Sequence, residues 1–122
     1  MVAAALLAVG CGRTGGLARY ELSGQVTYGG KPVPGGTIVF EPDASKGNSG
    51  PASYATIAAG QYTTESGQGT VGGPHLVRIA GTDGIPKGEL PQGRSLFSEY
   101  RAAADLPKGT STQDFAIPKS HK

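Results

Sequence analysis

Past residue 20, apolar side chains fall on alternate residues in short stretches, and each stretch is closed by glycine or proline. A period of two marks a half-buried strand, whereas a helix needs apolar residues three and four apart. In Leu22-Ser-Gly-Gln-Val-Thr-Tyr28, the residues Leu22, Gly24, Val26 and Tyr28 share a face. Thr37-Ile-Val-Phe-Glu41 turns Ile38 and Phe40 one way and ends at Pro42. Tyr54-Ala-Thr-Ile57 and Gln61-Tyr-Thr-Thr64 flank Ala58-Ala59-Gly60, which predicts a hairpin with Tyr62 inward. His75, Val77 and Ile79 share a face, and Asp114-Phe-Ala-Ile117 reads as a closing strand with Phe115 and Ile117 buried. No segment is periodic enough for a substantial helix.

The connections are equally legible. The 21 glycines and 9 prolines approach the level of disordered chains, but the alternation between them argues for a turn-rich β domain. Gly29-Gly30 suits a tight turn that needs positive φ. Lys31-Pro32-Val33-Pro34 is extended and barred from a central strand, because proline removes ladder donors. Asp43 to Pro51, Gly67 to Gly73 and Thr82 to Ser95 read as loops. Leu96 to Ala104 carries the only helical character, a turn or two ended by Pro107. The sum is an all-β domain: a small sandwich of approximately seven strands. Val26, Ile38, Phe40, Val77, Ile79 and Phe115 are its expected core, each contributing about 1.5–3 kcal/mol before entropy is subtracted.

The lone cysteine excludes an internal disulfide, so its position carries the information. Val2 to Val9 is the one continuous apolar run, about half the length that spans a bilayer. It suits the apolar centre of a signal peptide. Leu7-Ala8-Val9-Gly10-Cys11 resembles a lipobox, although no Lys or Arg precedes the run. The resemblance implies cleavage before Cys11 and acylation of its thiol; the alternative is an apolar N-terminus with an incidental cysteine. The expected organisation is a signal peptide over residues 1–10, a flexible tether over 11–19, a domain over 20–118 and a solvated tail over 119–122.

The run Ser23-Gly-Gln-Val, Gly30-Lys-Pro-Val and Gly35-Gly-Thr-Ile-Val-Phe-Glu-Pro42 resembles the opening of carboxypeptidase regulatory-like domains. Gly60-Gln-Tyr62 and Gly73-Pro-His-Leu-Val-Arg-Ile79 resemble later signatures of the same family. The resemblance covers about Tyr20 to Ile117 and implies the transthyretin-like (prealbumin-like) Greek-key sandwich. Its motifs are turn glycines and core residues, which testify to fold more than to function.

Chemistry is sparse. Some transthyretin-like proteins are hydroxyisourate hydrolases that use several histidines, an arginine and a Tyr-Arg-Gly-Ser ending. This chain has only His75 and His121 and ends Pro-Lys-Ser-His-Lys, so that activity is a remote expectation. His75 reads as a strand histidine bonded to a neighbour, and His121 as a mobile tail residue. Asp43-Ala-Ser-Lys-Gly-Asn-Ser-Gly50 holds one carboxylate and a lysine, poor material for Ca²⁺. Gly67-Gln-Gly-Thr-Val-Gly72 has no helix to receive a phosphate. A net charge of +2 with dispersed basic residues gives no reason to expect a nucleic-acid partner. No catalytic residue, metal or cofactor is expected. The expected function is a non-catalytic lipoprotein module of the cell envelope, membrane-anchored through Cys11 and engaged in protein interaction or surface structure. The alternative is a small carbohydrate-binding module using the loops at one end of the sandwich, which sugar binding abolished by Tyr54→Ala would favour.

Overall fold

A computed structural model describes residues 18–122; Cys11, the stretch expected to be a signal peptide and nearly all of the expected tether lie outside the described residues. The strands are β1 (Leu22–Tyr28), β2 (Lys31–Pro32), β3 (Gly35–Pro42), β4 (Ser53–Ala58), β5 (Gln61–Thr63), β6 (Gly73–Thr82), β7 (Tyr100–Leu106), β8 (Ser111–Thr112) and β9 (Phe115–Ile117). The only helical element among the described residues is a 3₁₀ turn at Ala44–Lys46. No helix among them is long and apolar enough to cross a membrane.

The strands form one sheet in the order β2-β1-β5-β4-β3-β6-β7, with β8 and β9 parallel to β1 on its other side. The sheet curls into a half-barrel because β4 and β5 are joined by a two-residue turn and a single register pair, Ala58↔Gln61. Ala59 and Gly60 both have positive φ there, as do Gly29 and Gly30 between β1 and β2. Both are the primed geometry whose twist matches the flanking strands.

The curl brings three distant aromatic residues together. Phe40 of β3 lies 5.8 Å from Tyr62 of β5 and 6.2 Å from Phe115 of β9, and Tyr62 and Phe115 are 6.3 Å apart, between ring centroids. All six expected core residues are buried in one cluster, together with Leu22, Val33, Ile57, Phe97, Leu106 and Ile117 among others. The sandwich-like all-β reading therefore holds, with two short strands and β7 in addition to the strands read from sequence.

Tyr62 ties the layers by more than packing. Its hydroxyl donates to the Gln113 carbonyl at 2.6 Å. Burial, and secondly the Asp114 carboxylate, push the phenol's pKa well above its ordinary value. Above pH about 10 the unfolded chain ionises this tyrosine while the folded chain holds it neutral. Stability is therefore expected to fall as pH rises past that point, and to fall less in Tyr62→Phe. At neutral pH the same substitution is expected to cost about 1–2 kcal/mol, since the Gln113 carbonyl loses its donor. Urea titrations of both proteins at neutral and alkaline pH check the pair of results.

Three expectations are corrected. The stretch over residues 96–104 is not helical: Phe97 is buried, and from Tyr100 the chain is strand β7. Alanine favours helix by only a few tenths of a kcal/mol per residue, and an isolated helix so short is unstable. Seven consecutive register pairs with β6, from Gly73↔Leu106 to Ile79↔Tyr100, outweigh that preference. Lys119 and Lys122 of the tail over residues 119–122 stay exposed, as expected, but His121 is docked rather than mobile. The Tyr28 hydroxyl donates to the His121 carbonyl at 2.9 Å, and the His121 ring packs edge-on to Tyr100 at 5.2 Å and near Phe97 at 6.0 Å. β9 delivers the tail onto these rings, which come from separate segments of the chain. Finally, Arg19, assigned to the tether, is anchored: its guanidinium donates to the carbonyls of Gly69 at 2.9 Å and Ala52 at 3.3 Å.

Candidate functional site

The outer face of the β4-β3-β6-β7 layer is built by the same alternation that fills the core. Tyr54 and Thr56 leave β4, Val39 and Glu41 leave β3, Leu76 and Arg78 leave β6, while Ala55, Phe40 and Val77 point inward. The register aligns Tyr54, Val39, Arg78 and Arg101 in one row across four strands, and Glu41, Leu76 and Ala103 in the next. Tyr54 is 61% exposed and Leu76 45%. The Arg78–Glu41 ion pair at 3.1 Å crosses the middle of this face between Val39 and Leu76, and Arg101 pairs with Glu99 at 2.8 Å. Such exposed pairs contribute little to stability but fix where the charges stand.

Beside Tyr54 lies a groove of about 350 Å³, lined by Thr37, Thr56, Thr63, Glu65 and Gln68. One aromatic ring thus stands next to hydroxyl, carboxylate and amide groups. The other tyrosines are committed elsewhere: Tyr62 is buried, and Tyr28 stacks on Phe97 at 4.7 Å. Tyr54 is the only tyrosine among the exposed large hydrophobic residues of the described chain.

The two histidines are held in different settings. His75 is 1% exposed, and its Nδ1 lies 2.8 Å from the Gly73 carbonyl. A carbonyl only accepts, so Nδ1 carries the proton and Nε2 is the basic nitrogen; it has no partner. His75 lines a cavity of about 390 Å³ with Asp43, Lys46 and Asp105. His121 Nε2 instead lies 2.8 Å from the Ser98 carbonyl on the aromatic cluster. Among the described residues, no three His, Cys, Asp or Glu side chains converge as a metal site would require.

The loop weighed for Ca²⁺ is a clamp. The Asp43 carboxylate accepts from the Ser45 amide at 3.0 Å and hydroxyl at 2.6 Å, and the Asn48 amide donates to the carbonyls of Gly72 at 3.0 Å and Pro74 at 2.7 Å. The Asp43 oxygen caps the turn at Ser45, and the Asn48 nitrogen holds the start of β6. Between Gly67 and Gly72 the close approach is at Gly69, which lies under the Tyr20 carbonyl and whose own carbonyl accepts from Ser53 Oγ at 2.7 Å, whereas Gly67 serves only a positive φ. The aligned rows of the outer face were missed in sequence because alternation says which residues leave a strand, not which strands adjoin.

Fold and surface together define an all-β half-barrel module with one open, aromatic-bearing sheet face. No family model matches the chain, and no curated protein matches it.

Proposed function

We propose that the chain is a non-catalytic module of the cell envelope, held to a membrane by an acyl group on Cys11, that engages another envelope protein through the outer face of its β4-β3-β6-β7 layer. The observation that carries this reading is the pair of exposed anchors, Tyr54 and Leu76, on a face crossed by the linked charges of Glu41, Arg78, Glu99 and Arg101. Recognition surfaces combine aromatic and aliphatic anchors with charges that set the partner's orientation. The lipobox-like Leu7-Ala8-Val9-Gly10-Cys11 supports the anchor.

The Tyr54 groove favours a second reading, a carbohydrate-binding module in which a sugar ring stacks on Tyr54 and hydroxyls bond to Thr56, Glu65 and Gln68. Two experiments test these readings. Cys11→Ser is expected to move the protein from the membrane fraction to the aqueous one and to remove a diacylglycerol-sized mass; unchanged fractionation removes the anchor from the account. Site-specific cross-linking from the outer face is expected to join one discrete envelope protein, with the adduct lost in Tyr54→Ala and Leu76→Asp. Saturable glycan binding abolished by Tyr54→Ala, without any such adduct, would transfer the assignment to the sugar.

A further inference from the structure

Among the described residues the sheet ends at β7, which has β6 on one side and no strand on the other. Which of its backbone groups face outward follows from the hydrogen bonds of β6. The Pro74 carbonyl accepts from Asp43 at the end of β3, whereas the Gly81 carbonyl accepts from Leu96 on the way to β7. Backbone groups alternate sides along a strand, so Gly73, His75, Val77 and Ile79 bond toward β7. Their register partners Leu106, Ala104, Ala102 and Tyr100 use their amides and carbonyls on β6. The amides and carbonyls of Arg101, Ala103 and Asp105 therefore point off the sheet.

These three residues read +, 0, − about Ala103. Folded sheets usually protect an open edge with charge, proline or a bulge. Here the charges are of opposite sign and equally distant from the central alanine, so they discriminate among partners rather than refusing all. A second copy laid antiparallel with Ala103 against Ala103 sets each Arg101 directly opposite Asp105 of the other copy, and Ala102 opposite Ala104. A parallel copy in the same register sets Arg101 against Arg101 and Asp105 against Asp105. Arg101 is available for this: its side chain is 74% exposed and held along β7 by Glu99. Small side chains at 102, 103 and 104 let the backbones approach, and Pro107 ends the pairing one residue past Leu106.

We propose that two copies of this chain associate through β7 in an antiparallel, two-fold pairing centred on Ala103. The pairing joins the two sheets in the order β4-β3-β6-β7-β7-β6-β3-β4. Three directly opposed residue pairs exchange two bonds each, about six backbone hydrogen bonds in all. The union also covers Tyr100, Ala102 and Ala104, which stand half-buried at the open lip of the half-barrel. It leaves Tyr54 and Leu76 free and, of the outer-face rows, engages only the β7 residues Arg101 and Ala103, so loss of the dimer and loss of outer-face binding are read separately by Arg101→Asp and Tyr54→Ala.

Sedimentation equilibrium of the full chain at concentrations up to about 1 mM tests the pairing. The expected result is a concentration-dependent monomer–dimer equilibrium. Arg101→Asp and Asp105→Arg each weaken it about tenfold, because either one turns both opposed pairs into like charges. The double variant Arg101→Asp/Asp105→Arg restores it, which a merely unfolded variant would not do. Amide exchange at Arg101, Ala103 and Asp105 slows as concentration rises, while that at Ala102 and Ala104 does not change. A monomer at every concentration, or a dimer indifferent to the charge variants, overturns the proposal. A dimer lost in Tyr54→Ala but intact in the charge variants places the contact on the outer face and overturns it equally.

Discussion

Phe40→Ala is expected to cost about 3–5 kcal/mol, a large part of the roughly 5–15 kcal/mol that holds a domain of this size together. Phe40 is fully buried, and its ring is shared by β3, β5 and β9 through Tyr62 and Phe115. Truncating it removes buried apolar surface and leaves a cavity at the place where the curled sheet meets itself. The neighbours cannot collapse into it freely. Tyr62 is held by its bond to Gln113, and β3 is bonded on both sides, to β4 and β6. Val39, one residue earlier, points to the outer face of the same strand, so Val39→Ala is expected to cost under about 1 kcal/mol. Urea titration reads the pair: the midpoint should fall sharply for Phe40→Ala with little change in slope. Equal costs for the two variants would mean that β3 is not the wall of a closed core.

Gly36→Ala is expected to be nearly as damaging, at least about 3 kcal/mol, for a different reason. Gly36 is in β3 with φ of 133°, a conformation that side chains rarely adopt. A Cβ there would also land on the carbonyl oxygen of Ala80 in β6, and backbone in mid-ladder has nowhere to go. Gly30→Ala separates the two contributions. Gly30 has φ of 84° at the β1–β2 turn, but a Cβ there meets nothing within 4 Å, so only the conformational strain of about 1–2 kcal/mol remains. A thermal melt of both variants should show Gly36→Ala losing clearly more. Similar losses would mean that β3 and β6 can separate locally at little cost.

The particular residues show where sequence reading reaches its limit. Ile38, Phe40, Val77 and Phe115 were legible as inward-facing, and they do share an interior. Tyr54 was legible as a candidate contact residue, but its row with Val39, Arg78 and Arg101 exists only through register across four strands. Arg101 and Asp105 sat in a stretch whose alanines suggested helix, so their symmetry about Ala103 had no meaning until that stretch proved to be an edge strand. His121 carried no local signal at all, because the residues that receive it, Tyr28 in one segment and Phe97 and Tyr100 in another, are distant from it in the chain.

Alternation, turn glycines, proline positions and the apolar run before Cys11 are local properties, so the chain alone determined that it is all-β, where most strands begin and end, and which side chains turn inward. Which strands adjoin, which edge stays open, how the sheet curls and what the tail rests on were decided only by the tertiary structure. The reason is that a side chain's face depends on its neighbours two residues away, whereas strand partners are chosen by a collective burial that closes over the whole domain at once.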